Sequence, residues 1–325
     1  MIDVRWFAPN RLALQLVPRL ERRGLAIATD GDAPARLAVA MSGTVAGRAW
    51  RYAAARRCAL ALYVWDLPPW RIAGGRPDPV WSVWGRLLRV PRLLNGYREQ
   101  HGYYSRVRFV ATRARAVWAP SASSAASVAA TFGVACTRLP YCYDSDRFVP
   151  LAVESRAAPH LLSVSRLQPY KNQQAVIRAA ARLDPPLPVR LIGWGPEEAS
   201  LRRLAAGLGV TCSIESGLSD ADIVRAYRQA SVVVCPSRFE GFGLSPIEAV
   251  ACGTRVAASD IPPHREFLGD AARYFAPDDE SGLVAALRAA LAGPAPDPAS
   301  VRALTLDAAA ERFAAAIFGL LEGVR

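Results

Sequence analysis

CPSRFEGFGLSPIEAVACGTRVAAS, residues 235–259, carries the densest run of structural signals in the chain. An apolar run ends at Cys235 as a buried strand would. A loop bearing Gly241 and Gly243 follows, and a short helix is expected to open with Ser245-Pro246-Ile247-Glu248. Gly253 stops that helix, and 255–258 reads as the next parallel strand. Strand, glycine loop and helix N-terminus together make an anion site, because free backbone N–H groups and the helix dipole point at one spot. Ser245 to Glu248 also spells a capping box with proline at the first helical position, which would make Glu248 a cap residue. That reading leaves Glu240, in the loop before it, without a role.

Upstream, LLSVSRLQPYKNQQAVIRAAARL at 161–183 has the same form. A strand delivers Arg166 at its end, and the loop returns through Lys171 to a helix starting near Asn172. A cation at a helix N-terminus opposes the dipole, so Lys171 is badly placed unless an anion shares the site. It is also the only lysine in a chain that otherwise uses arginine, which suits a compact point charge for a phosphate. LIGWGP at 191–196 runs a further strand into a turn through Gly193 and Gly195. Trp194 in that turn reads as an aromatic covering an apolar edge.

Short apolar runs alternate with helical patterns along almost all 325 residues, which predicts α/β layers around parallel sheets. Strands are expected at 4–7, 25–28, 37–40, 59–64 and 116–118, and again at 161–165, 189–192, 211–214, 231–235, 255–258 and 273–275. Helices are expected in the first half at 11–22, 44–57, 80–100 and 121–132, with a loop at 68–79. The polar, proline-bearing stretch 144–159 is the best linker, so domains are placed at 1–155 and 156–302. A last helix over 303–325 places Leu306, Ala310, Phe313, Ile317 and Leu321 at three- and four-residue spacing and needs a surface to cover.

Apolar residues make up 52% of the chain, enough for two cores and too many for global disorder. The six cysteines are scattered without CxxC, which reads as a reducing, cytoplasmic setting. The opening MIDVRWFAPNR has no basic start followed by an apolar stretch, so no leader is expected, and no run is long enough to span a membrane. The net charge of +12 is unevenly placed: residues 1–150 hold 22 Arg against 9 acidic residues, and the remainder is nearly neutral. A basic half of this kind suits an anionic or lipid-linked acceptor, or peripheral contact with the inner face of a membrane. No nucleic-acid partner is expected.

Four ordered segments then carry a resemblance: SVSRLQPYKN (163–172), LIGWGPEEASLRRLA (191–205), PSRFEGFGLSPIEAVACG (236–253) and SDIPPHREFLGDAARYF (259–275). Together they resemble the donor-binding domain of glycosyltransferase family 4, retaining enzymes of the GT-B fold, and Glu240 and Glu248 match its E-x7-E motif. The resemblance implies two Rossmann-like parallel-sheet domains facing across a cleft, with the last helix packing back toward the first domain. It implies transfer of a hexose from a nucleotide-diphosphate sugar to a glycan or other cell-envelope acceptor. Arg166 and Lys171 would bind the donor diphosphate, Glu240 the transferred sugar and Glu248 the ribose. The amides at Gly243 and Leu244 would face the phosphates, with Ser245, Gly193 and Gly195 beside the donor. The first half departs from the family: WFAPNR replaces a glycine-rich loop, and Trp65 stands where a histidine is usual, with Asp66 retained beside it as the acceptor-side match.

Three Asp-x-Asp pairs (Asp30 and Asp32, Asp144 and Asp146, Asp220 and Asp222) fit the spacing of metal-dependent transferases, but their scatter reads as turn chemistry. His101, His160 and His264 show no ligand spacing. With two cations and a helix N-terminus available to the leaving diphosphate, neither metal nor cofactor is expected. A dinucleotide oxidoreductase would need GxGxxG after the first strand, which WFAPNR lacks. A non-catalytic nucleotide-sugar-binding subunit and a sugar-nucleotide epimerase remain the alternatives.

Overall fold

Of the two sheets, the first is formed by Ile2–Phe7 (β1), Ile27–Ala28 (β2), Ala35–Ala40 (β3), Ala59–Tyr63 (β4), Ala116–Ala119 (β5) and Thr137–Arg138 (β6). In this computed structural model residues 2–67, 103–150 and 158–323 are described. The strand order is β2-β1-β3-β4-β5-β6, and every pairing is parallel. Ser42 caps the helix Gly43–Arg56 by accepting from Thr44 N, and Arg57 closes it in the left-handed region. Ser121 caps Ala122–Phe132 in the same way, with Gly133 after its end. The expected helix at 11–22 is two short helices, Arg11–Gln15 and Val17–Glu21, the second with Pro18 in its first turn. The expected loop at 68–79 and the expected helix at 80–100 lie outside the described residues.

The second sheet comprises Leu161–Val164 (β7), Val189–Ile192 (β8), Cys212–Glu215 (β9), Val232–Cys235 (β10), Val256–Ser259 (β11) and Ala272–Phe275 (β12). It is built outward from β10, every residue of which is buried. Strand β10 pairs in parallel with β7 on one side and β11 on the other. The full order is β12-β11-β10-β7-β8-β9, again wholly parallel. From β7 the chain adds strands in one direction, and from β10 in the other. The order therefore reverses between β7 and β10, the place where open α/β sheets form a crevice at their carboxyl edge.

Two compact units emerge: Met1–Tyr141 with Ala309–Arg325, and Cys142–Ala308. Residues 142–150 belong to the second unit because their backbone is tied there. Tyr143 N donates to Leu304 O at 3.1 Å, Leu306 N to Ser145 Oγ at 3.1 Å, and Arg228 reaches Val149 O at 2.7 Å. The last helix, Leu306–Glu322, buries Leu306, Ala310, Phe313, Ile317 and Leu321. Within the first unit Phe313 packs at a tilt against Tyr63 at 5.7 Å and edge-on against Trp118 at 6.1 Å. All six cysteines are free thiols. No helix among the described residues is long and apolar enough to cross a membrane.

Candidate functional site

The site assembles where the sheet order of the Cys142–Ala308 unit reverses. The loops leaving β7 and β10 emerge at the same carboxyl edge, since the two strands are parallel neighbours. From β7 the chain passes through a 3-10 turn, Pro169–Lys171, and then Asn172 in the left-handed region before the helix Gln173–Ala181. From β10 it runs through Ser237 and Glu240 to Gly243, which opens the helix Leu244–Ala251. Lys171 and Glu240, 69 residues apart, meet there with Nζ 2.6 Å from Oε1. Ser237 Oγ donates to the same oxygen at 2.7 Å, so both donors converge on Oε1. Sequence reasoning assigns the two residues to separate parts of a ligand and does not anticipate their contact.

The electrostatics of this pair follow from burial against strong partners. Burial raises the Glu240 carboxyl, but Lys171, His264 and the Ser237 hydrogen bond outweigh it and leave the pKa below its ordinary value. Burial likewise lowers the Lys171 ammonium, and Glu240 more than restores it. Both groups are therefore charged over the whole neutral range. One N–H of the ammonium is committed to Glu240, and two further donors remain.

The helix start differs from the capping box expected at Ser245. The N-cap is Gly243, at φ +83°, with no side-chain cap on the first-turn amides. Proline fits at Pro246 because the N–H it lacks would be unpaired in the first turn. A Cβ at Gly243 would fall 2.9 Å from His264 Cδ2, so glycine is required twice, by conformation and by space. Ser245 and Glu248 face Tyr227 instead. The Tyr227 hydroxyl lies 2.8 Å from Ser245 Oγ and donates to Glu248 Oε2 at 2.9 Å. Burial pushes the Glu248 carboxyl up to about 8, against the Tyr227 bond and with help from Asp144 and Asp220.

His264, whose sequence context shows no ligand spacing, lies at this site with 1% exposure. Its Nδ1 is 2.9 Å from the Ser259 carbonyl, which fixes the proton on that nitrogen and leaves Nε2 an acceptor. That Nε2 is buried and has no hydrogen-bond partner among the described residues. Burial lowers its pKa despite the nearby Glu240 carboxylate, so the ring is neutral. Only the chain's path from β11 into the helix Pro262–Leu268 reveals this placement.

Other sequence-predicted residues fall as follows. Arg166 is exposed after β7, with Nη2 3.4 Å from the Tyr170 hydroxyl. Gly193 and Gly195 hold the turn after β8 against the loop that carries Arg166. A Cβ on either would collide with the carbonyl oxygen of Ser165 or Leu167, and Leu167 N donates to Trp194 O at 2.9 Å. Trp194 itself is 65% exposed. Trp65 and Asp66 follow β4 in the other unit. There Trp65 Nε1 donates to Met41 O at 2.8 Å and its ring packs on Tyr141 at 4.3 Å. Asp144 and Asp220 both pair with Arg147, and Asp222 pairs with Arg225. Among the described residues no three His, Cys, Asp or Glu side chains cluster as a metal site.

Comparison with known proteins bears on the domain and on the fold. Residues 153–303 match the family model described as Glycosyl transferases group 1, so this part of the chain carries that domain. A D-inositol 3-phosphate glycosyltransferase from Streptosporangium roseum is 38% identical over 124 residues, covering 34% of this chain and 28% of that protein. An MMP alpha-(1->4)-mannosyltransferase from Mycolicibacterium hassiacum is 29% identical over 212 residues, covering 61% and 50%. The matches thus span only about a quarter to a half of these curated relatives. Among solved structures, the sucrose-phosphate synthase of Thermosynechococcus elongatus has a TM-score of 0.66 at 17% identity, covering 100% of this chain and 96% of that one. Anabaena HepE in complex with UDP-glucose has a TM-score of 0.65 at 15% identity, covering 100% and 98%. These likenesses are of fold, and the fold is GT-B.

Proposed function

We propose that the chain is a retaining glycosyltransferase of family 4 that moves a hexose from a nucleotide-diphosphate sugar, held by the Cys142–Ala308 unit, to a glycan or lipid-linked acceptor. The observation that carries this reading is the meeting of Lys171, Glu240 and the uncapped amides at Gly243 where the sheet order reverses. A diphosphate needs fixed positive charge and free N–H groups, and a sugar needs a carboxylate acceptor beside them. Support for the nucleotide comes from HepE, solved with UDP-glucose, and for the reaction from the mannosyl- and inositol phosphate glycosyltransferases that match the same domain.

In this reading Glu240 Oε2 receives a sugar hydroxyl, with His264 Nε2 as a second acceptor. Lys171 holds Glu240 in place and turns its remaining N–H groups, with Arg166 and the amides of Gly243, Leu244 and Ser245, toward the diphosphate. Gly193 and Gly195 keep the Arg166 loop close. Glu248, with its raised pKa, meets the ribose as a neutral carboxyl able to donate as well as accept. The leaving diphosphate takes the acceptor's proton on the face it departs from, so no protein base is required and configuration is retained. These donors supply the charge a metal would otherwise supply, and no metal is assigned. The acceptor binds the other unit near Trp65 and Asp66, and the basic character of residues 1–150 suits an anionic acceptor at the cytoplasmic face of a membrane.

The test is calorimetric titration of the chain with UDP-, GDP- and ADP-sugars, followed by assay of sugar release. One nucleotide should bind with affinity lost in Arg166→Ala. Absence of binding by every nucleotide sugar would remove the proposal.

A further inference from the structure

Arg5 occupies a position that a charged side chain does not hold without a partner. It lies on β1, in register with Ala28 of β2 and Ala38 of β3, and is only 6% exposed. Its Nε and Nη1 are buried with no hydrogen-bond partner, and it forms no ion pair among the described residues. The guanidinium carbon lies 5.3 Å from the ring centre of Phe7 and 5.8 Å from that of Tyr52. Those rings attract the cation, but the N–H bonds lie in the guanidinium plane and still need acceptors. Burying such a group unpaired is costly.

The cavity it lines, about 430 Å³, suggests what the acceptor is. Arg48, Arg51 and Arg56 line the same cavity from the helix Gly43–Arg56, at three- and five-residue steps along it, and Asp32 joins from the loop between β2 and β3. None of these three arginines makes an ion pair among the described residues. Four guanidinium groups against one carboxylate leave a net charge of +3 around one concave space. Paired guanidinium N–H groups match the oxygens of a phosphate in spacing and charge, and several arginines can share one phosphate. A space of this size falls within the roughly 300–1,000 Å³ of small-molecule sites, so a phosphate with an organic substituent fits better than a bare ion.

We propose that this cavity, within the Met1–Tyr141 unit, binds a phosphomonoester, with Arg5 as the buried anchor and Arg48, Arg51 and Arg56 around it. The ligand is either a soluble phosphomonoester or the headgroup of a phosphomonoester lipid such as phosphatidic acid. The proposal stands independently of the sugar-transfer reading, whose donor-site residues lie in the other unit.

The experiment titrates the full chain with glycerol 3-phosphate by calorimetry and, in parallel, measures cosedimentation with vesicles containing phosphatidic acid or phosphatidylcholine alone. Binding to either phosphomonoester form should fall roughly tenfold or more in Arg5→Gln and in Arg51→Gln, and stay unchanged in Arg166→Gln. Arg51 is exposed, so its variant decides the matter should Arg5→Gln not fold. Binding to phosphatidic acid vesicles without binding to glycerol 3-phosphate assigns the lipid source, and the reverse assigns the soluble one. Binding that survives both cavity variants, or is lost only in Arg166→Gln, overturns the proposal, as does absence of binding to both phosphomonoester forms.

Discussion

Lys171 Nζ lies 2.6 Å from Glu240 Oε1, joining the loops that leave two neighbouring parallel strands. The contact bridges the reversal of sheet order and fixes the only lysine of the chain against the first glutamate of the E-x7-E pair.

Removing either partner leaves the other charge largely buried and unpaired. Lys171→Ala and Glu240→Ala should each destabilise the fold by about 2 kcal/mol, and the double variant by clearly less than the sum. Urea unfolding of the three variants checks this. The lowered Glu240 pKa makes its share of stability present above the unfolded carboxyl value and lost as pH falls through the folded one. The raised Lys171 pKa makes its share present below the unfolded amine value and lost as pH rises through the folded one. The coupling should therefore be flat from about pH 5 to about pH 9 and shrink outside that window. Strict additivity at neutral pH would contradict the pairing.

Glu248 behaves in the opposite sense. With its folded pKa raised to about 8, the native state holds a proton that the unfolded state has released. Stability is therefore lost as pH rises from the unfolded carboxyl value to about 8, and is level above that. Glu248→Gln should abolish this loss, gaining more than about 1 kcal/mol on the wild type at pH 8, since a tenfold difference in proton affinity is worth about 1.4 kcal/mol. Nucleotide-sugar affinity should weaken in the same variant, with turnover of bound donor little changed. Parallel pH–stability curves for the two proteins would show Glu248 to be ordinary.

Gly243→Ala tests the helix start. Alanine at φ +83° and a Cβ against His264 should together cost about 1–3 kcal/mol. Adding His264→Ala should relieve the steric part and leave the conformational part, so the double variant regains only some of the loss. Thermal melts decide between this and a full recovery, which would mean that the backbone conformation carries no strain.

If the positive groups of the site suffice for the leaving diphosphate, transfer should continue unchanged in EDTA. Activity that disappears with EDTA and returns with Mn²⁺ would instead place a cation on one of the Asp-x-Asp pairs.

Strands β1 to β5 and β7 to β12 are legible in the sequence, most of them as short apolar runs. β6 is not, since Thr137 and Arg138 are exposed and carry no periodic signal. The helix start reads two residues late: a serine before a proline suggests a cap, whereas the left-handed Gly243 and the distant Tyr227 decide the local structure. Lys171 and Glu240 stand out one by one through residue type and motif, but their contact depends on strand order, which local sequence does not encode. His264 and Arg5 escape sequence reading for a related reason. Each gains its character from burial among residues far along the chain, and only the sheet brings those residues together.

In the proposed function Glu240 guides a sugar transfer that retains configuration. Proton NMR of the product formed from the nucleotide sugar that binds reads the anomeric coupling in one experiment. The wild type should give a glycoside with the anomeric configuration of the donor. Glu240→Gln should give at least about a hundredfold less of it, a loss of roughly 2.7 kcal/mol of transition-state stabilisation. An inverted anomeric centre, or equal product from the two proteins, would contradict the claim.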